Sequence, residues 1–143
     1  MSDAAGIVEL IGRAMFGLYF VYTGAGFHIS KSKMAEEYAR SLRFPVPGLA
    51  GWPTGVWMVA GGLSVALGIW PDIGALMIAV FAIAGAAWFH RFWEVEDTMQ
   101  RHVQEGFFGR NVLIVGACLA LFAFFGTQGD LLRYAIIGPA INL

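Results

Sequence analysis

The chain has 143 residues, of which 13% are charged and 58% hydrophobic, whereas a soluble domain is about one-quarter charged; a single domain, 1–143, surrounded by lipid is expected. Nine basic and ten acidic residues leave a formal net charge of −1, too weak a field to hold a nucleic-acid backbone. The one cysteine, Cys118, lies in an apolar run, which excludes an intramolecular disulfide, a Cys-x-x-Cys redox pair and a zinc knuckle, and leaves packing as its role.

The opening, Met1 to Ala5, carries no Lys or Arg ahead of the first apolar stretch, so cleavage as a secretory signal is not expected. A helix crossing hydrocarbon needs ~20 mostly apolar residues, because each backbone polar group must pair within its own segment. Four stretches meet that demand: 6–27, 54–70, 73–93 and 107–125. The expected fold is therefore all-α, an integral membrane four-helix bundle with short amphipathic interfacial helices.

Between the first two stretches, Met34, Tyr38 and Leu42 recur every four residues, with Lys33, Glu36, Glu37 and Arg40 on other faces. This spacing predicts a short amphipathic helix on the membrane surface. Pro45 and Pro47 end it, and Trp52 stands where an interfacial anchor belongs. Asp72, the one charge between Thr54 and Phe89, follows Pro71 and marks a tight turn. Val95, Met99 and Val103 predict a second surface helix before the last stretch. Beyond the break at Gly126 to Asp130, residues 131–143 are apolar but too few to span. They read as an interfacial helix or as a docking segment for a neighbouring subunit.

Small residues recur within the stretches: Gly12, Gly17, Gly61, Gly62, Ala75, Ala79, Ala82, Ala86, Gly116 and Ala120. Lipid gives no hydrophobic drive between helices, so close approach through small side chains must hold them together. Lys31, Lys33, Arg40, Arg43, Arg91, Arg101 and Arg110 lie in or beside the two long connections. The positive-inside rule places those connections in the cytoplasm and both termini outside.

Glu9 and Arg13, spaced i,i+4, are the charges set well inside an expected span; they form an ion pair that either anchors the helix or lines a polar site. A second cluster, His28, Trp52, His90, Arg91, Arg110 and Asn111, falls at helix ends on one membrane side, among Phe27, Trp88, Phe89, Phe92 and Trp93. Imidazole, guanidinium and amide groups beside flat aromatic rings suit a quinone headgroup, whose carbonyl oxygens need donors and whose ring needs a stacking face. The same residues also fit an ordinary interfacial belt, and His28 with His90 fits a pair of haem ligands. The cofactor-binding candidates are His28, Trp52, His90, Arg91 and Asn111, with a quinone as ligand. No metal site is expected, His102 is read as solvated, and no nucleophile with a base partner or phosphate-cradling glycine loop is present, so no catalytic residue is assigned.

At these residues the chain resembles the DoxX family of small four-span bacterial membrane proteins. The resemblance rests on Gly12-Arg13, the run Phe20-Val21-Tyr22-Thr23-Gly24-Ala25-Gly26 followed by His28, then Tyr38, Leu42 and Pro45-Val46-Pro47. It continues through Gly61-Gly62-Leu63, Leu67-Gly68, Phe89-His90-Arg91-Phe92-Trp93, and Gln104, Phe108, Arg110, Asn111 and Leu113. One departure stands out: many members have a Glu shortly before the paired glycines, where this chain has Met58. The resemblance implies a multi-pass protein of the bacterial inner membrane, with relatives linked to thiosulfate:quinone oxidoreductase and oxidative-stress complexes. It is also similar in layout to the vitamin K epoxide reductases, but a lone cysteine argues against their thiol chemistry.

Two functions from different classes follow. The leading expectation is a non-catalytic accessory subunit of a larger redox or respiratory-type membrane complex, with other membrane subunits or further copies of itself and lipid as partners. The rival is a quinone-coupled oxidoreductase. A transporter ranks below both, since the last three stretches offer neither broken helices nor charges near the midplane.

Overall fold

The first helix begins where Ser2 can cap it: the Ser2 hydroxyl accepts from the Ala5 amide at 3.3 Å. In the computed structural model, which describes residues 2–143, this helix, α1, runs Asp3–Thr23 and passes into a π-helical turn, Gly24–Ile29. Helix α2, Ser32–Ser41, is the expected amphipathic helix, with Ala35 and Ala39 facing the protein while Met34 and Tyr38 stay exposed. Met34 is thereby left for a lipid surface, while the Tyr38 ring also meets Phe89, with centroids 6.1 Å apart.

Helix α3, Trp52–Leu67, has a proline in its first turn, where the missing amide proton costs nothing. It stops at Gly68, whose φ of +67° is a left-handed conformation that glycine adopts without a Cβ penalty. Helix α4, Pro71–Ala84, continues through a second π-helical turn, Gly85–Phe89. Helix α5 covers Thr98–Gln128, capped by Asp97, whose carboxylate accepts from the Gln100 amide at 2.8 Å.

Three helical segments are long and apolar enough to cross a membrane: Asp3–Ile29, Pro71–Glu94 and Thr98–Leu131. The stretch expected over 54–70 becomes α3, whose 16 residues extend about 24 Å at 1.5 Å per residue. By length and composition, the four expected spans therefore reduce to three. The second expected surface helix is also absent as a separate element. Met99 and Val103 occupy the first turns of α5, because the Asp97 cap starts the helix there and nothing breaks it before the apolar stretch.

The tail differs most from its expected form. After a short 3₁₀ turn, Gly129–Leu131, it leaves helical geometry and straps across the turn between α3 and α4. The amides of Ile136, Ile137 and Gly138 donate to the carbonyls of Leu67 and Gly68 at 2.9–3.1 Å, and the Trp70 amide donates to Gly138 O at 2.9 Å. Gly138, at φ +98°, and Pro139 are incompatible with the helix read from hydropathy. Asp72 is fully buried at 0% exposure, and its two carboxylate oxygens accept the Ala140 and Ile141 amides at 2.9 Å each. An ion pair between Arg133 and Asp3 at 2.6 Å brings the tail beside the start of α1.

Helix contacts run in the order α1–α3, α3–α4, α4–α5. The α1–α3 seam is backbone against backbone: a Cβ added at Gly17 would collide with Gly62 O, and Gly24 meets Gly55 in the same way one step along. That is the close approach that small residues permit within lipid. Gly12 and Gly116, by contrast, have open space where a Cβ would sit. Phe20, Val65, Ile78, Ala79, Cys118 and Phe125 form the core, so Cys118 serves packing. Helices α1 and α5 form no comparable seam.

Candidate functional site between the first and last helices

Where α1 and α5 stand apart, a cavity of about 370 Å³ remains, within the ~300–1,000 Å³ range of small-molecule sites. Tyr19, Phe20 and Thr23 form its α1 wall, and Arg110, Asn111 and Ile114 form its α5 wall. His28 and His90 also line it, each delivered by a π-helical turn that ends or adjoins its helix. Such turns rotate the following side chains relative to a regular helix and recur at functional sites.

Each polar group is held by a different device. The His28 Nδ1 lies 2.6 Å from Ala50 O. A carbonyl has no proton to give, so Nδ1 must donate, and Nε2 of the neutral ring is left as an acceptor. Phe81 and Phe27 meet the ring edge-on, with centroids 5.8 and 5.2 Å away. The His90 Nδ1 bonds Gln104 Oε1 at 2.8 Å, and its ring rests against Phe107 at 5.2 Å. The Arg110 guanidinium lies 4.9 Å over the same Phe107 ring, a cation–π contact that fixes a donor-only group at the wall. Asn111 is 3% exposed and sits against Gly85, where a Cβ would come within 3.1 Å of its Nδ2. Among the described residues its carboxamide makes no hydrogen bond.

Of the five candidate ligand-binding residues, His28, His90 and Asn111 converge on this cavity. Trp52 does not line it; its side chain is largely exposed at the start of α3, and its amide donates to Ser32 Oγ at 3.0 Å. Arg91 is spent on a different task. Its guanidinium donates to Leu42 O at 3.2 Å and to Glu94 at 3.1 Å, tying the end of α4 to the connection after α2. Phe44 completes that cover, against Trp88 and Phe89 at 5.6 and 5.3 Å.

Several lining residues were beyond sequence reasoning. Phe81 and Thr23 lie on helix faces that hydropathy does not distinguish. Met58, buried and lining the cavity, occupies the position where the resemblance led to an expected Glu. This wall presents a thioether instead of a carboxylate.

The opposite end of the molecule holds the Glu9–Arg13 pair. Arg13 is 2% exposed, approaches Glu9 to 3.6 Å and donates to the carbonyl of Tyr134 in the tail. The pair is therefore enclosed beneath the strap, with no cavity beside it among those described.

Three helices long and apolar enough to cross a membrane mark the class as a multi-pass membrane protein. The DoxX family model matches residues 8–91, more than half of the chain, and the chain belongs to the DoxX family. The match takes in His28, Met58 and His90, while Arg110 and Asn111 lie beyond it. Among curated proteins no match is found, and none among solved structures.

Proposed function

We propose that this chain crosses the bacterial inner membrane four times and serves as a non-catalytic, ligand-holding subunit of a larger redox or respiratory-type assembly, with a quinone headgroup in the cavity between α1 and α5. The observation that carries the reading is the convergence of His28, His90, Arg110 and Asn111 on one cavity otherwise walled by aromatic and aliphatic side chains. A flat ring with polar oxygens at its edges matches that lining. The ligand's tail would leave through the interval between α1 and α5, directly into lipid.

The fourth crossing is supported by chain geometry. The Asp3–Arg133 pair puts the first and last segments at one end, so the helices between them traverse the body an even number of times. Exposed Trp52 and Trp70 flank α3 as interfacial anchors do. A helix somewhat short for the bilayer is accommodated by local thinning at modest cost.

Purification in mild detergent followed by mass spectrometry is the test. Stoichiometric membrane partners and a bound quinone are the expected result. An isolated chain that reduces a quinone analogue with a chemical donor would replace this reading with a quinone-coupled oxidoreductase.

A further inference from the structure

The hydrogen-bonding polarity of the cavity carries more than the presence of a ligand. His28 gives its Nδ1 proton to Ala50 O, so the one free polar atom of its ring, Nε2, is an acceptor. The His90 Nδ1 is likewise engaged, with Gln104 Oε1, which leaves a second bare acceptor nitrogen. Arg110 offers donors alone, and the Asn111 carboxamide offers both. Among its imidazole, guanidinium and carboxamide groups the cavity thus presents acceptors from the ends of α1 and α4 and donors from α5, while the hydroxyls of Tyr19 and Tyr38, which also line it, can serve as either.

An oxidised quinone carries acceptors at both edges. It satisfies Arg110 and Asn111, but an oxygen placed at His28 is set against a bare imidazole nitrogen, acceptor against acceptor. A quinol carries hydroxyls, each able to donate and to accept. One hydroxyl can donate to His28 Nε2 while the other accepts from Arg110 or Asn111. We infer that the site selects the reduced, quinol form over the quinone, through donation from a ligand hydroxyl to His28 Nε2. The inference rests on the proposed quinone-holding function and adds the redox form that the cavity retains. An assembly that passes electrons into the quinone would thereby hold its product, whereas one fed by quinol would hold its substrate.

Binding to wild-type protein in phosphatidylcholine nanodiscs tests it, without oxygen and at pH 8, above the ordinary imidazole range. The probes are a short-tailed benzoquinone, its quinol and the quinol's dimethyl ether, which keeps both oxygens as acceptors but cannot donate. One hydrogen bond gained in place of an acceptor clash corresponds to about tenfold in affinity. The quinol should therefore bind about tenfold more tightly than the quinone or the ether, and His28→Phe should reduce quinol affinity to the quinone level. Equal binding of quinol and quinone, tighter binding of the quinone, or an ether as tight as the quinol overturns the inference and leaves the proposed function standing. Failure of all three probes to bind sinks the proposed function itself. The ether comparison uses unaltered protein, so the test survives a His28 variant that does not fold.

Discussion

The two ends of this molecule collect polar side chains in the same way and use them in opposite ways. At the tail end, both Asp72 oxygens receive tail amides, and Arg13 donates into the tail at Tyr134, while both Glu9 oxygens and the Arg13 Nε and Nη1 are buried with only their mutual ion pair, at 3.6 Å, for company. At the cavity end, His28 and His90 are each held through one nitrogen, and Asn111 is buried without a protein partner among the described residues. Lipid forces polar groups toward helix ends, but it does not dictate whether they are satisfied internally. Asp72, closed on tail amides, holds the fold together, and polar groups left half satisfied beside a cavity, unlike the enclosed Glu9–Arg13 pair, are available to a ligand.

Breaking the closed end should have the largest effect on stability. Asp72→Ala removes the acceptor for two backbone amides at a fully buried site. Hydrogen bonds to a charged group contribute ~1.5–3 kcal/mol each, so a loss of about 3 kcal/mol or more is expected. It would be read as a lower thermal midpoint and as faster amide exchange over residues 136–141, with quinol or quinone affinity unchanged. Asp72→Asn, which retains one acceptor oxygen, should fall between. An unchanged midpoint for Asp72→Ala would show that the strap contributes little to the fold, and the contrast between the ends would fail.

A smaller effect is expected at the seam between them. Gly17→Ala places a methyl group against Gly62 O, and overpacking of this kind costs ~1–3 kcal/mol. Gly116→Ala, on α5 where no atom lies within 4 Å of the added carbon, should be neutral or gain up to ~1 kcal/mol from helix propensity. Thermal unfolding of the pair in one detergent gives the comparison directly. Equal midpoints would mean that α1 and α3 do not rely on backbone contact.

These two glycines also show what the sequence made legible. Hydropathy located all the long helices but could not tell Gly17 from Gly116, since contact depends on which helix faces which. Helix ends followed capping rather than oil: Asp97 starts α5 well before its apolar stretch, which is why a separate surface helix over Val95 to Val103 did not form. The tail misled because its apolar composition fits an interfacial helix, while Gly138 and Pro139 leave its amides seeking acceptors elsewhere. A signal for its true place was present in Asp72, a lone carboxylate in a long uncharged stretch that must find donors once buried. The cavity was legible as a cluster of polar residues at helix ends. The loss of Trp52 and Arg91 from it was not, because an exposed indole and an arginine turned to Leu42 O are decided by side-chain direction.

The smallest expected change in stability is also the sharpest probe of the open end. Asn111→Leu replaces a buried carboxamide with an alkyl group of similar size at a position where no described hydrogen bond is lost. Removing an unpartnered polar group from an apolar surrounding is neutral to favourable, so the thermal midpoint should stay within about 1 kcal/mol of wild type or rise. Headgroup affinity should fall at least about tenfold, because the α5 wall loses the group that both donates and accepts. Stability kept and binding lost is the pattern of a residue retained for function at some cost to the fold. If Asn111→Leu instead unfolds the protein as readily as Asp72→Ala, its carboxamide supports the structure, and the two ends do not differ in kind.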